Sequence, residues 1–427
     1  MSTLVNEANI KAEKAENVNN YSWYVLGLLT VVYALNFLDR SLIYILFTPI
    51  KKELLLSDLQ LALLGTTSFV IFYTLLGIPF GRLADRTIRK NLIAIGLAIW
   101  SLFSGLTGYA ESFWGIFFCR VMVGVGEATL GPAALSLLSD YFPVKMRATV
   151  QAIYSSGIPL GGGIAFFLGG WIGGSMGWRW AFYLLGFPGL LVALFVFLLK
   201  EPSRGQTEKN VTLYQPGDWK RLFRSKSLRF HHIGYALFAL AANSLTIWGP
   251  SFFSRVHGLS IATIGLLAGI LSILGGMPGT ILGGYASDWF RKKGRGGRML
   301  FTSYGAIACI PLWLMLLYSD NVILLVIANL FLLAAALIWL GPAAADVHDI
   351  AGPQLRGLGI GVYFFTVNII GYGFGPPIVG KLNDLMGVST NPSQMKFSLL
   401  ICPLTCALSA FFLYLGSKTM EKENSCK

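Results

Sequence analysis

The sequence predicts an all-α protein that crosses a membrane twelve times, with its helices arranged as two six-helix bundles. Of its 427 residues, 55% are hydrophobic and only 12% are charged, whereas soluble proteins carry about twice that charged fraction. The chain also holds about a dozen apolar runs long enough to span a bilayer. These runs lie near residues 23–47, 59–80, 91–109, 113–138, 148–172, 179–199, 232–253, 261–286, 299–318, 322–345, 357–380 and 397–416.

An internal repeat divides the runs into two groups of six. Gly81-Arg-Leu-Ala-Asp85 returns as Gly284-Tyr-Ala-Ser-Asp288, and Gly131-Pro-Ala-Ala134 returns as Gly341-Pro-Ala-Ala344. An even number of spans in each copy gives both copies the same orientation in the membrane. We therefore expect a tail (1–22), a bundle (23–199), a linker (200–231), a second bundle (232–416) and a second tail (417–427).

The linker between the copies is rich in basic residues. Within it, Trp219, Leu222 and Phe223 fall on one helical face, with basic residues around them. This pattern favours a basic amphipathic helix at the membrane surface, and a plain solvated linker is the alternative.

The net charge is +13, and most of the basic residues fall on one side of the predicted membrane. If the first tail is cytoplasmic, 25 of the 33 Lys and Arg residues fall in cytoplasmic segments, six on the other side and two inside spans. That asymmetry is typical of membrane proteins, and it argues against nucleic-acid binding. It predicts that both termini are cytoplasmic, and we expect a bacterial inner (plasma) membrane. The polar first 22 residues do not read as a cleavable signal.

The sequence shows no nucleotide-binding loop, nucleophile constellation or metal-ligand spacing. We therefore expect no enzyme activity, no cofactor and no metal. Four of the five cysteines lie in spans and are interpreted as small apolar packers. The four histidines lie near span ends, where interfacial polar roles are expected. The expected partners are a lipid-like substrate, membrane lipids and, if transport is proton-coupled, protons. We expect the chain to be a monomer.

The loop at 81–90 resembles the signature between spans two and three of the major facilitator superfamily. Its Gly81, Asp85, Arg86, Arg89 and Lys90 match the pattern. The resemblance implies two bundles around a central cavity and transport by alternating access. We expect this loop to act as a cytoplasmic latch in which Asp85 caps a helix or pairs with Arg147. Asp288 is the second-copy equivalent, followed by Trp289 where a basic residue is usual.

Within that superfamily, three stretches resemble the Spinster family of lysolipid and sphingolipid-phosphate transporters. They are Asn36-Phe-Leu-Asp-Arg40, Gly124-Val-Gly-Glu-Ala128 and Gly177-Trp-Arg-Trp-Ala181. The resemblance covers most of the N-terminal half and weakens after residue 230. It implies an amphipathic lipid substrate, either a lysophospholipid or a sphingoid lipid similar to sphingosine phosphate.

Four charged residues lie inside predicted spans, where each costs at least about 3 kcal/mol unless it faces protein or water. Arg120 and Glu127 are two helical turns apart and share one face, whereas Asp39 and Arg40 point about 100° apart. In the superfamily, spans one and four line the cavity, so the resemblance places all four in one layer. Two acids and two bases sum to zero, so we expect them to neutralise one another.

We hypothesise that Asp39 or Glu127 carries a coupling proton and that Arg40 and Arg120 bind an anionic headgroup, since the guanidinium fork suits phosphate and carboxylate. A structural ion cluster is the alternative. Spans seven and ten, which the resemblance places opposite this cluster, contain no charge in the predicted runs, and this asymmetry favours a lipid. The candidate cavity-lining residues are Tyr33, Asn36, Asn243, Trp248, Asn329 and Trp339. The remaining alternatives are an organic-anion/proton symporter and a non-transporting membrane receptor or scaffold.

Overall fold

Twelve helices, each long and apolar enough to cross a membrane, dominate the computed structural model. The model describes residues 19–143, 146–202, 224–294, 296–351 and 355–425, without the side chains of 85, 147, 148, 356, 357 and 423–425. The helices are α1 Asn20–Ile45, α2 Asp58–Ala84, α3 Arg89–Tyr109, α4 Phe113–Tyr141, α5 Thr149–Ser175, α6 Trp178–Phe197, α7 Lys226–Val256, α8 Ile261–Lys293, α9 Gly297–Tyr318, α10 Val322–Ala351, α11 Leu358–Leu385 and α12 Pro392–Lys422.

This architecture confirms the predicted all-α class with twelve spans. Helices α1–α6 form one bundle and α7–α12 the other. We name the membrane face at which α1 begins and α12 ends the termini face. The opposite face, at which α1 ends and α2 begins, is the distal face. A short helix, Phe47–Leu54, follows α1 at the distal face.

Several helices begin where a short polar side chain caps the first turn. The Ser57 hydroxyl accepts a hydrogen bond from the Gln60 backbone N–H, and the Gln60 side chain accepts one from the Ser57 N–H, which forms a capping box ahead of α2. Ser112 caps α4 through one hydrogen bond from the Gly115 N–H, and Asn321 caps α10 by accepting from the N–H groups of Ile323 and Leu324. Such caps satisfy backbone donors that would otherwise lack partners at the helix start.

The two bundles approach most closely along α5 and α8. A methyl group at Gly265 of α8 would lie 2.4 Å from the Phe166 carbonyl oxygen of α5, and one at Gly170 would lie 2.9 Å from the Gly265 Cα. Only glycine permits this backbone-to-backbone contact, which is the usual reason for small residues between membrane helices.

Three spans contain a π-helical stretch, in which one extra residue widens a turn. These stretches are Leu63–Thr67 in α2, Ser272–Gly276 in α8 and Val367–Phe374 in α11. The stretches in α2 and α8 are 209 residues apart, so they occupy the same place in the internal repeat. The corresponding part of α5 is α-helical from Gly157 to Ser175.

The distal end of α6 explains one of the sequence motifs. The Trp178 indole N–H donates to Glu53 Oε2 at 2.6 Å, and Arg179 pairs with the other oxygen of the same carboxylate. The hydrogen bond from Trp178, reinforced by Arg179, lowers the pKa of the Glu53 carboxyl. The Gly177-Trp-Arg-Trp-Ala181 motif thus fastens α6 to the short helix Phe47–Leu54.

Some predictions fall on parts of the chain that the structure does not describe. Trp219, Leu222 and Phe223, on which the predicted amphipathic linker helix depends, lie outside the described residues, and the first tail is described only from residue 19. The side chains of Asp85 and Arg147 are likewise not described. Their proposed contact, and the linker helix, therefore stay predictions.

Candidate functional site

The four predicted intramembrane charges come together between α1 and α4, and we name Asp39, Arg40, Arg120 and Glu127 the charge cluster. Arg40 Nε lies 2.6 Å from Glu127 Oε2, which makes a direct ion pair between the two helices. Glu127 is fully buried, whereas 13% of the Arg40 side chain is exposed. A carboxylate held this far from water requires such a partner.

The other two members of the cluster do not pair with each other as ions. Asp39 accepts a hydrogen bond from the Ser104 hydroxyl of α3 at 2.6 Å. Arg120 Nη1 donates to the backbone oxygen of Asp39 at 3.1 Å. The Nε and Nη2 atoms of Arg120 are buried and find no acceptor among the described residues. The expected mutual neutralisation is therefore realised by one ion pair, and Arg120 is a buried cation with free donors.

The geometry follows from helix periodicity. Asp39 and Arg40 point about 100° apart on α1, so Asp39 faces α3 while Arg40 faces α4. Arg120 cannot reach Glu127 along its own helix, because seven residues span about 10 Å. It turns instead to the α1 backbone, which α4 brings alongside.

Aromatic rings enclose the guanidinium groups. The Arg40 guanidinium carbon lies 4.5 Å from the ring centroids of both Phe69 and Tyr73 on α2 and 5.0 Å from that of Phe37. Arg120 lies 5.8 Å from the same Phe69 ring. Ring faces attract cations most strongly where water is excluded. These contacts stabilise both arginines inside the bilayer, and the sequence analysis did not identify Phe69 or Tyr73.

Two predicted cavity residues on α1 lie next to the cluster. Asn36 is 1% exposed and approaches Glu127. The Tyr33 ring stacks on Tyr154 of α5, with 4.3 Å between centroids and 4° between planes, and it remains partly exposed.

The predicted lining residues of the second bundle divide into two groups. Asn329 of α10 borders an apolar pocket, and Asn243 of α7 is partly exposed. Trp248 is not part of that pocket's lining: it is fully buried, its indole N–H donates to the Pro376 oxygen at 3.0 Å, and its ring packs on Phe47. Trp339 is 7% exposed, and its indole N–H has no acceptor among the described residues.

The apolar pocket lies between α7, α8 and α10 and encloses about 660 Å³, including the part open to solvent. Phe253, Leu259, Ile264 and Val322 surround its distal end. Its polar residues lie toward the middle of the membrane, and they are Thr246, Ser272 and Asn329. Ligand pockets in proteins are likewise mostly apolar, with a few polar groups.

The second bundle also contains a buried acid, which corrects the expectation of an uncharged α10. The predicted span ended at residue 345, but α10 continues to Ala351 and carries Asp346, which is fully buried. Asp346 accepts a hydrogen bond from the Tyr235 hydroxyl at 3.4 Å. His231, expected to be interfacial, is also fully buried: one of its ring nitrogens lies 2.9 Å from the Ala343 oxygen.

Each bundle has a group of ion pairs at the termini face. In the first, Arg89 Nε lies 2.7 Å from Glu201, and Arg89 Nη1 pairs with Asp140 of α4. In the second, Arg298 binds Asp349 of α10 and Asp288 of α8, both at 2.9 Å. Arg89 was a predicted latch residue, whereas Arg298 and its partner Asp349 were not. Arg86, also predicted, is exposed.

The two groups of ion pairs follow the repeat seen in the structure. Arg89 and Arg298 are 209 residues apart, the same spacing that separates the π-helical stretches of α2 and α8. The two sequence repeats, with offsets of 203 and 210, would instead match Arg89 to Lys292 or Met299, so only the structure identifies Arg298.

A group of polar contacts, which we name the distal clasp, joins the two bundles at the distal face. Asp58, fully buried at the start of α2, lies 2.7 Å from Arg255 of α7 and 2.5 Å from Lys51. Asp384 of α11 accepts hydrogen bonds from the backbone N–H groups of Asp58 and Leu59 at 2.8 and 2.9 Å. The negative side chain suits the helix N-terminus. The bundles are therefore held together on this side.

Comparisons with known proteins agree with this architecture. The family model of the Major Facilitator Superfamily matches residues 29–376. An "MFS-type efflux pump" of Mycolicibacterium smegmatis is 27% identical over 364 residues, which is 85% of each chain. The "Sphingosine-1-phosphate transporter SPNS2" of Xenopus tropicalis is 24% identical over 425 residues, covering 94% of this chain and 83% of that protein.

A solved structure is also similar along almost the whole chain. It is the crystal structure of a bacterial homolog of the human lysosomal transporter Spinster, in an inward-facing and unoccupied conformation. It matches with a TM-score of 0.85 and 26% identity over 94% of this chain and 98% of that one. The chain therefore belongs to the Major Facilitator Superfamily, as a multi-pass membrane transporter that is similar to the Spinster proteins and not an enzyme.

Proposed function

We propose that this transporter moves an anionic single-chain lipid, a lysophospholipid or a sphingoid-phosphate-like molecule, by alternating access. The observation that carries the proposal is the apolar pocket between α7, α8 and α10, which lies in the bundle opposite the charge cluster. The name of the SPNS2 relative, a sphingosine-1-phosphate transporter, supports the same substrate class.

The depths of the two regions suit one amphipathic molecule. Arg120 and Asn329 each lie seven residues from the distal start of their helix, about 10 Å deep. The pocket extends from this level toward the distal face. A lipid whose headgroup meets the arginines can therefore direct its hydrocarbon chain into the pocket. Arg40, the more exposed arginine, would make the first contact, and Arg120 would join as the cluster rearranges.

The hydrocarbon chain exchanges one apolar environment for another, so its entry gains little free energy from the hydrophobic effect. The headgroup contributes more, because an arginine can bind phosphate through two parallel hydrogen bonds. Affinity is thus expected to depend on the headgroup, whereas the pocket selects molecules whose chain fits.

We further propose that Glu127 carries a coupling proton, with Asp39 as the second candidate. Protonation of Glu127 removes the partner of Arg40 and frees this guanidinium for an anion. A headgroup and a proton then act on the same ion pair, which links substrate binding to protonation. This hypothesis predicts that Glu127→Gln abolishes the pH dependence of transport while some flux remains.

The test is uptake into proteoliposomes with a fluorescent lysophospholipid, sphingosine phosphate and a small dicarboxylate as separate substrates. Ala268→Phe should fill the pocket and reduce lipid flux more than tenfold. Ile270→Phe, on an exposed position of the same helix, is the matched control and should retain flux. Uptake of the dicarboxylate without uptake of either lipid would overturn the proposal in favour of an organic-anion symporter.

The orientation is a further part of the proposal. The excess of Lys and Arg in segments at the termini face favours a cytoplasmic location of that face, with both ends of the chain inside a bacterial plasma membrane. Reporter fusions to the C-terminus, one fluorescent only in the cytoplasm and one active only outside it, test this directly. Activity of the external reporter would refute it.

A further inference from the structure

Phe69 of α2 lies between the two arginines of the charge cluster. The Phe69 ring centroid is 4.5 Å from the Arg40 guanidinium carbon and 5.8 Å from that of Arg120. Phe69 is 2% exposed and stacks on Tyr73 one turn later, with 5.3 Å between centroids. Helix α2 therefore presents an aromatic surface to both cations.

The close approach of α2 depends on Gly124 of α4. A methyl group at Gly124 would lie 2.7 Å from the Phe69 carbonyl oxygen and 3.3 Å from its Cα. Gly124 is situated between Arg120 and Glu127 on the same helix. The segment of α4 that carries the charges is thus also the segment against which Phe69 packs.

The same helix reaches the opposite bundle. The π-helical stretch Leu63–Thr67 ends two residues before Phe69, and the Thr67 hydroxyl donates to the Gly373 oxygen of α11 at 3.0 Å. At its distal start, α2 carries Asp58 of the distal clasp. One helix therefore contacts the charge cluster and also the contacts that hold the distal face closed.

We propose that Phe69 is a positioning residue that couples the Arg40–Glu127 ion pair to the distal clasp through α2. When the pair breaks, because Glu127 is protonated or because an anion binds Arg40, the guanidinium leaves the ring face. Helix α2 loses an attractive contact with α1 and becomes free to move with the clasp. The proposal rests on the transport function of the charge cluster, but its test measures conformation and not flux.

The experiment is a double-mutant cycle of Glu127→Gln and Phe69→Leu. Its readout is the distance between spin labels attached at Lys52→Cys and Leu385→Cys, after the native cysteines have been replaced. Both positions are exposed at the distal face and belong to different bundles. Glu127→Gln should raise the distal-open population roughly tenfold, the scale of one desolvated cation–π contact. In a Phe69→Leu background the same substitution should change that population less than twofold.

Two further variants isolate the ring. Phe69→Tyr keeps an aromatic face and should retain the response to Glu127→Gln. Phe72→Leu removes a 37% exposed ring of the same helix and should also retain it. If Phe69→Leu fails to fold, Phe69→Met replaces it. An undiminished response to Glu127→Gln without the Phe69 ring, or no response in the parent protein, overturns the proposal.

Lipid flux in proteoliposomes distinguishes this proposal from the proposed function. A protein that shows the conformational coupling but carries no lipid would refute the assigned substrate and leave the role of Phe69 intact. A protein that carries lipid without the conformational coupling would refute the role of Phe69 and leave the assigned substrate intact.

Discussion

Neutralising Asp58 should open the distal face. This carboxylate is fully buried and lies 2.7 Å from Arg255 of the opposite bundle and 2.5 Å from Lys51. Asp58→Asn keeps the size of the side chain and its capacity to accept a hydrogen bond, but removes the charge that binds both cations. Because Arg255 belongs to the other bundle, its contact exists only while the distal face is closed. The free energy of that contact is therefore lost from the closed state alone.

The magnitude follows from burial. Removing one partner from a buried pair costs about 3–5 kcal/mol. The side chains of Arg255 and Lys51 remain 10% and 17% exposed, so water compensates partly and the lower end applies. About 3 kcal/mol corresponds to a shift of roughly 150-fold toward the distal-open state, at about 1.4 kcal/mol for each factor of ten.

The assay is the distribution of distances between labels on the two bundles at the distal face, measured in nanodiscs. A longer distance should become the major population in Asp58→Asn. Asp320→Asn is the matched control, because Asp320 is 92% exposed, pairs only loosely with Lys396 at 3.8 Å and should have almost no effect. An Asp58→Asn distribution identical to that of the parent protein would refute the assignment of the clasp as the distal closure.

Three other changes have expected outcomes. Gly265→Ala places a methyl group 2.4 Å from the Phe166 oxygen and should lower the free energy of unfolding by about 1–3 kcal/mol, measured by thermal denaturation in detergent. Glu53→Gln should make thermal stability less dependent on pH on the acid side. Because the pKa of Glu53 is lowered, its contact with Trp178 stabilises the fold at pH values above 4.5, the ordinary pKa of this carboxyl. This stabilisation is lost as the pH falls through the lowered pKa. Asn329→Arg adds an unpaired charge to the apolar pocket at a free-energy cost of about 3 kcal/mol, and it should reduce lysolipid uptake more than tenfold.

Two of these changes have a control variant, and the third has an outcome that would contradict it. Gly162→Ala, whose added methyl would be 3.7 Å from its nearest neighbour, should leave thermal stability nearly unchanged. An unaltered acid limb in Glu53→Gln would show that this carboxylate does not contribute to the pH dependence. Asn329→Leu keeps the pocket apolar and should retain lysolipid uptake, and equal losses in both Asn329 variants would point to a folding defect.

The sequence predicted the features that depend on local periodicity. Helix geometry alone separates Asp39 from Arg40, and the structure places them against different helices. The sequence could not predict that Arg40, and not Arg120, is the partner of Glu127, because that choice depends on how α1 and α4 are rotated against each other. The aromatic contact from Phe69 depends on a third helix.

Other differences have equally physical causes. Trp248 was predicted to line the cavity because it lies in span seven, but a rotation of one residue, about 100°, separates a lining position from a packed one. Asp346 was missed because the predicted span ended with the apolar run at residue 345. The α-helix continues beyond that run, because buried polar residues such as Asp346 find hydrogen-bond partners such as Tyr235 there.

The paired π-helical stretches contain information about the history of the chain. Each stretch adds one residue to a turn and so rotates every later position of its helix by about 100°. The stretches in α2 and α8 stand at equivalent places in the two copies. One insertion in an ancestral six-helix unit, copied when that unit was duplicated, accounts for both. The longer stretch in α11 has no equivalent in α5, so it arose in the second copy after the duplication, or was lost from the first.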